Sequence, residues 1–437
     1  MRSMNFFIIV LAAHFVTSNL NAQNQLTKLV KTEVVDNLAK SLLDNYIFAD
    51  KARNMKNLIQ KNLAVGLYNN ITNPNEFAEK LTKDLRSVCN DLHLSVRFNP
   101  RQEKSLSEPS NKSAYKQTRA IEEAKNQNFG FKKVEIIHGN IGYVYFDGFY
   151  DLNETARTTV ENVFKSLKSS EALIFDIRNN GGGSPEMVRY ICSFLFTKPT
   201  HINDLYERRT NKTQTFWTKP VKGFEYFSNI PVYVLISSRT FSAAEEFAYD
   251  LQVLHRAQLI GETTGGGAHP VSPQLITNGF IGFIPYARAI NPVTRTNWEG
   301  VGVKPDVKIV SNNALDAAVI AYYDFEIASL TDTNKLKAIQ WSRTMLNANI
   351  YPYNVDKLTL KAFTGKFGDE TFTYNNGVLY MTGRNGKTSR LIALSQTSFK
   401  PEETDLYKLE FIKNRAGEIN KVVVRFNNGY IKTEKKK

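Results

Sequence analysis

Val232-Tyr-Val-Leu-Ile236, then Ser237-Ser-Arg-Thr-Phe241, then Ser242-Ala-Ala-Glu-Glu-Phe247 is the stretch whose reading decides the fold. The unbroken apolar run reads as a strand buried on both faces, which is the habit of parallel strands in α/β layers. A short polar loop follows, and Ala243 to Leu254 then reads as a helix. Ser242 stands at the helix start with Glu245 three residues on, so the pair spells a capping box. The same place offers unpaired backbone N–H groups and the positive end of the helix dipole, which favour a developing oxyanion. Ser242 is therefore a candidate nucleophile and a candidate cap, and this segment alone leaves both open.

On either side the pattern repeats. Gly142 to Phe146, Ala172 to Ile177 and Gln258 to Ile260 read as strands, and Pro185 to Phe196 as a helix. From about 134 to 310 this alternation predicts an α/β layer with largely parallel strands. Asp176-Ile-Arg-Asn-Asn-Gly181-Gly-Gly-Ser-Pro185 is a second strand end leading into a helix. Its three glycines allow close backbone approach, and both an oxyanion hole and a phosphate cradle fit. The phosphate reading is weaker, because neither G-x-G-x-x-G nor the Lys-Ser/Thr of a P-loop is present. Gly386-Lys387-Thr388 imitates the latter but lies between strand-like runs and reads as a hairpin turn.

Residues from about 27 to 92 read as an N-terminal helical domain, with Val34, Leu38 and Leu42 at four-residue spacing and Leu58, Ile59 and Leu63 after a break. Residues 99–128 are polar and read as a surface excursion, too small for an inserted peptide-binding domain. The α/β domain is expected over 93–348, closing on a helical stretch from Ala314 to Asn347. From 352 to 437, Phe372 to Tyr374, Val378 to Met381, Leu391 to Leu394, Leu406 to Ile412 and Val422 to Phe426 alternate with Asn-Gly turns. They predict a small antiparallel sheet or barrel.

The chain of 437 residues with 42% hydrophobic content is long enough for two or three domains. Arg2, the apolar run Phe6 to Val16 and Leu20-Asn21-Ala22 have the charged, apolar and small-residue regions of a signal peptide over 1–22. Export to the periplasm or beyond is expected, and no later stretch is apolar enough to span a membrane. The net charge of +14 is spread along the chain. A nucleic-acid partner is not expected, because phosphate binding needs that charge gathered on one face. Cys89 and Cys192 are read either as a disulfide or as two buried thiols.

A serine nucleophile needs a base. His93, in Cys89-Asn-Asp-Leu-His-Leu-Ser, sits where helix gives way to strand; His269, in Thr263-Thr-Gly-Gly-Gly-Ala-His, is its rival. No H-E-x-x-H, CxxC or tight histidine cluster suggests a metal, and no cofactor is expected.

Four ordered motifs resemble the tail-specific (carboxy-terminal processing) serine proteases, in the branch similar to the tricorn core protease and the interphotoreceptor retinoid-binding protein. They are Asp91-Leu-His93, Asp176-Ile-Arg-Asn-Asn-Gly-Gly-Gly183, Phe241-Ser-Ala-Ala-Glu245 with Gly261-Glu-Thr-Thr-Gly265, and Trp298-Glu-Gly-Val-Gly-Val-Lys-Pro-Asp306. The resemblance spans about residues 27 to 310. It implies a crotonase-like core and a serine-type endopeptidase acting on peptide or protein substrates. Ser242 matches the nucleophile, while the base Lys of the better-known branch falls at Gly267. The tricorn-like branch uses His and Glu, matched by His93 and Glu299; its extra Ser is Leu92 here. Ala243, Gly182 and Gly183 are implied as the oxyanion hole, with Arg178, Glu245 and His269 in support. A non-catalytic hydrophobic-ligand binder on the same fold and an ester or lipid hydrolase remain as alternatives.

Overall fold

The computed structural model describes residues 26–107 and 113–437. The signal-peptide segment expected at 1–22 lies outside them. The chain begins with three helices, Lys28–Asn45, Ala49–Ala64 and Pro74–Val88. Thr27 caps the first through its hydroxyl, and Asn73 caps the third with Pro74 in its first turn. Their apolar stripes, including Val34, Leu38, Leu42, Ile59 and Leu81, are fully buried. That core is shared with Val96, Ile276, Phe280 and Ile284 of a three-stranded antiparallel sheet formed by Ser95–Phe98, Phe280–Pro285 and Val271–Thr277. The sheet docks the helices onto the rest of the molecule and brings residues 89–98 toward the central layer.

The central layer is a six-stranded sheet in the order Val307–Lys308, Gln258–Gly261, Val232–Ile236, Ala172–Asp176, Ile141–Phe146, Phe131–Ile137. All neighbours are parallel except the last pair. Alternate residues enter opposite cores. Leu173, Phe175, Val234 and Ile236 face the helices Glu154–Ser166, Pro185–Cys192 and Ala243–Val253. Ala172, Ile174, Tyr233 and Leu235 face Ala314–Ser329 and Thr333–Ile350. Burial on both faces is why these strands read as continuous apolar runs. Asp176 pairs with Leu235 in register, so the Gly-rich loop and the Ser242 loop leave the same carboxyl edge. That edge is where ligands bind in parallel α/β sheets.

The polar excursion at 99–128 carries the helices Pro100–Ser107 and Ser113–Asn126, and one expectation changes. The single helical stretch from Ala314 is two helices, because Asp332 accepts hydrogen bonds from the Asn334 and Lys335 N–H groups and starts a new one. A further antiparallel sheet, of Ala287–Ile290, His201–Glu207 and Lys212–Trp217, was not foreseen. The last segment forms eight sequential antiparallel strands from Gly365 to Lys435. Phe367 bridges to Lys436, so the sheet nearly closes on itself around Phe363, Phe367, Phe372 and Phe411. Cys89 and Cys192 are free thiols, the first half-buried and the second buried.

Candidate active site

The loop between Ile236 and Ser242 is stitched to the Gly-rich loop beside it. The Ser237 hydroxyl donates to the Arg178 carbonyl at 2.5 Å, the Thr240 hydroxyl to the Ile177 carbonyl at 2.9 Å, and the Phe241 N–H to the Asn180 carbonyl at 3.1 Å. Ser242 is forced to φ 57°, ψ −126°. A residue with a Cβ in this region carries strain of about 1–3 kcal/mol, and such strain concentrates at functional turns.

The capping box spelled by the sequence is only half formed as hydrogen bonds. Glu245 Oε2 accepts from the Ser242 N–H at 2.9 Å. The Ser242 hydroxyl turns the other way and lies 3.0 Å from His93 Nε2, a residue 149 positions earlier. Glu245 is fully buried and also accepts from the Thr264 hydroxyl and the Gly266 and Gly267 N–H groups. Burial raises its pKa, and these bonds oppose the rise. It ties the Ser242 turn to the 264–267 loop.

His93 is held at its backbone. Its N–H donates to Asp91 Oδ1 at 3.1 Å, and Arg86 donates to the carbonyls of Leu92 and Leu94 at 2.6 and 2.8 Å. Its ring lies against Phe241, centroids 4.6 Å apart. Burial lowers its pKa to about 4, so the imidazole is neutral and ready to accept a proton. Its Nδ1 has no partner among the described residues.

Gly267 explains the missing Lys in physical terms. A Cβ there would fall 2.3 Å from the Phe241 ring and 2.7 Å from His93 Cε1. The volume a Lys stem would take is filled by those two rings.

Gly182 and Gly183 adopt φ +102° and +139°. A Cβ on Gly182 would come within 2.7 Å of Ser242 Cβ, and one on Gly183 within 2.0 Å of the Phe149 carbonyl oxygen. Only glycine fits both. The Gly182 N–H donates to Asn180 Oδ1 at 2.9 Å and is not free for an oxyanion, which corrects its expected role. The N–H groups of Gly183 and Ala243 have no partner among the described residues.

Glu299 is placed beside His269. Its Oε2 accepts from the Ala268 N–H at 2.6 Å and lies 3.4 Å from His269 Nδ1; its Oε1 is unpartnered. It forms no hydrogen bond with His93 in this structure. Burial, with Asp91 adding to it, raises its pKa to about 7. His269 Nδ1 is 2.8 Å from Asp91 Oδ2, which also accepts from the Tyr46 hydroxyl at 3.1 Å. Asp91, His269 and Glu299 have ligand atoms within 4.8 Å of one another, but the first two are already bonded to each other directly. The placing of Asp91 has a local signal in the sequence, because an Asp whose carboxylate accepts the N–H two residues on marks a turn. Phe241 gave no signal of its own. Arg178 reaches neither Ser242 nor His93. It pairs bidentately with Asp176, which also accepts from Tyr143, and bonds the Ser311 carbonyl, clamping the strand end.

A cavity of about 450 Å³ opens over Ser242, lined by His93, Gly183, Ala243, Glu246, Gly267 and Trp298 among others.

The model of peptidase family S41 matches residues 140–309, and a second model, the N-terminal domain of S41 peptidase in eukaryotic IRBP, matches 22–130. The chain belongs to peptidase family S41. Membership of the S41 family implies serine peptidase activity and a peptide or protein substrate. Among solved structures the chain is similar to a Parabacteroides merdae protein described as a peptidase, at 20% identity, covering 64% of this chain and 90% of that one, with a TM-score of 0.46. The photosystem II D1 C-terminal processing protease stands at 16% identity, 65% and 93% coverage and 0.41. The tricorn protease stands at 14%, 66% and 35%, and 0.40. Among the described residues no helix is long and apolar enough to cross a membrane.

Proposed function

We propose that this S41 member is an exported serine endopeptidase on a crotonase-like core, acting through Ser242, His93 and Glu299. The observation that carries the reading is the 3.0 Å approach of Ser242 Oγ to His93 Nε2 at a strained helix start. His93 Nε2 takes the hydroxyl proton as Oγ attacks the scissile carbonyl carbon. The Gly183 and Ala243 N–H groups receive the oxyanion, each such donor contributing about 3–4 kcal/mol to the transition state. His93 then gives the proton to the leaving amine, and water hydrolyses the acyl-enzyme by the same relay.

The role of Glu299 is supported by two atoms left without partners, the donor His93 Nδ1 and the acceptor Glu299 Oε1. Both residues flank the Gly267-Ala268 segment. A carboxylate on Nδ1 would stabilise the imidazolium that burial disfavours. The export reading is supported by the pattern of residues 1–22. A non-catalytic binding protein is the second reading, favoured by the absence of an acid hydrogen-bonded to His93 Nδ1. Treatment with a fluorophosphonate probe separates them. Covalent labelling of wild type that disappears in Ser242→Ala supports the peptidase, and an unlabelled wild type supports the binder. Digestion of a peptide library then separates peptidase from esterase.

A further inference from the structure

Ser242, Glu246 and Asp250 recur every four residues and so share one face of the Ala243–Val253 helix. Glu246 lies one turn below the nucleophile, its N–H bonded to the Ser242 carbonyl at 3.0 Å, and it lines the cavity. It is 5% exposed; Asp250 and the neighbouring Asn203 are fully buried. Four polar atoms of this cluster lack a partner among the described residues: Glu246 Oε1, Asp250 Oδ2 and both amide atoms of Asn203. One bond of normal geometry is formed, from Asn291 Nδ2 to Asp250 Oδ1 at 3.2 Å, and the Asn203 amide gives Glu246 a weaker polar contact that favours its charged form. Neither carboxyl forms an ion pair among the described residues. Glu186, whose charge adds to the effect of burial on Glu246, is itself paired with Arg189 at 2.8 Å. Burial raises the proton affinity of both carboxyls, and Glu246 raises that of Asp250 further.

Buried polar groups in folded proteins are almost always satisfied, and a carboxyl pair without a cation is expensive to keep. Here the unsatisfied pair adjoins a cavity whose walls include Pro185, Leu205, Tyr286, Ala289 and Trp298. Apolar walls leading to a buried acid suit a long alkyl stem that ends in a positive charge. We propose that Glu246, backed by Asp250, is the specificity determinant of this peptidase and selects a lysine or arginine side chain on the acyl side of the scissile bond. The assignment rests on Ser242 being the nucleophile that is acylated.

The test uses p-aminobenzamidine fluorescence and two peptide series that differ only in Lys or Leu at that position, on wild type, Glu246→Gln and Glu246→Ala. Binding of the amidine by wild type, weakened at least tenfold in both variants, is expected. The Lys-over-Leu ratio of kcat/KM should fall at least about 30-fold, since removing one side of a buried charge pair is strongly felt. Equal binding in all three proteins, or a wild type that cleaves Leu and Lys peptides equally, overturns the proposal. So does an equal loss on both series, which would mean that the carboxyls are satisfied by internal water. Fluorophosphonate labelling of the same preparations reports Ser242 separately. Amidine binding that depends on Glu246 in an unlabelled protein breaks the peptidase reading and leaves the cation pocket standing.

Discussion

Two histidines adjoin the Gly267-Ala268 segment with opposite endowments. His93 Nε2 is 3.0 Å from Ser242 Oγ, yet its Nδ1 has no partner among the described residues. His269 has Asp91 at 2.8 Å and Glu299 at 3.4 Å, yet makes no hydrogen bond to the serine. A relay needs both contacts on one ring. The arrangement teaches that motif order brings the candidate residues to one place, while which of them pair is set by side-chain geometry.

The largest test of this contrast removes the contact between Ser242 and His93. Ser242→Ala or His93→Ala should each lower kcat by about 10⁴-fold or more, and the double variant little further, because such groups act as a unit. Peptide turnover checks it, and additive losses would show that the two do not act together. Next comes Glu299→Gln, expected to lower kcat/KM by about 10²-fold. Its pH profile is the sharper reading. Glu299 must be ionised and His93 neutral, so wild-type kcat/KM should rise as pH climbs through about 7, the Glu299 value. In Glu299→Gln that limb should vanish and leave only the rise through about 4 set by His93. An unchanged limb near 7 would assign it to another group.

Asp91→Asn should act mainly on stability. Asp91 is buried, accepts from the His93 N–H and Tyr46, and pairs with His269. Loss of a charged acceptor should cost about 2 kcal/mol in denaturant unfolding. His269→Asn should have the smallest effect, about 1 kcal/mol in stability, with the Ser242–His93 pair still labelled by a fluorophosphonate. If His269→Asn abolishes labelling instead, the roles of the two histidines are reversed.

Legibility in the sequence differed by element. The strands Val232–Ile236 and Ala172–Asp176 were plain because burial on both faces removes polar residues from them. The strands His201–Glu207 and Lys212–Trp217 were missed because the first interleaves His201, Asn203, Asp204 and Glu207 with its apolar residues and the second is exposed at every position but Phe216. The helices in 99–128 were missed because a largely exposed helix has no apolar stripe to read. In the site, Ser242, His93 and Glu245 could be named from motifs. The half-formed cap, the loss of the Gly182 N–H to Asn180 and the filling of the Lys position by Phe241 could not.

The sequence by itself determined the alternation of buried strands and helices, the carboxyl-edge loops and the set of chemically able residues, because local periodicity and turn chemistry are written in neighbouring positions. Only the tertiary structure decided that the Ser242 hydroxyl lies within hydrogen-bond reach of His93 while its backbone still caps the helix. That choice depends on a side-chain direction and on a residue 149 positions away, which no local pattern encodes.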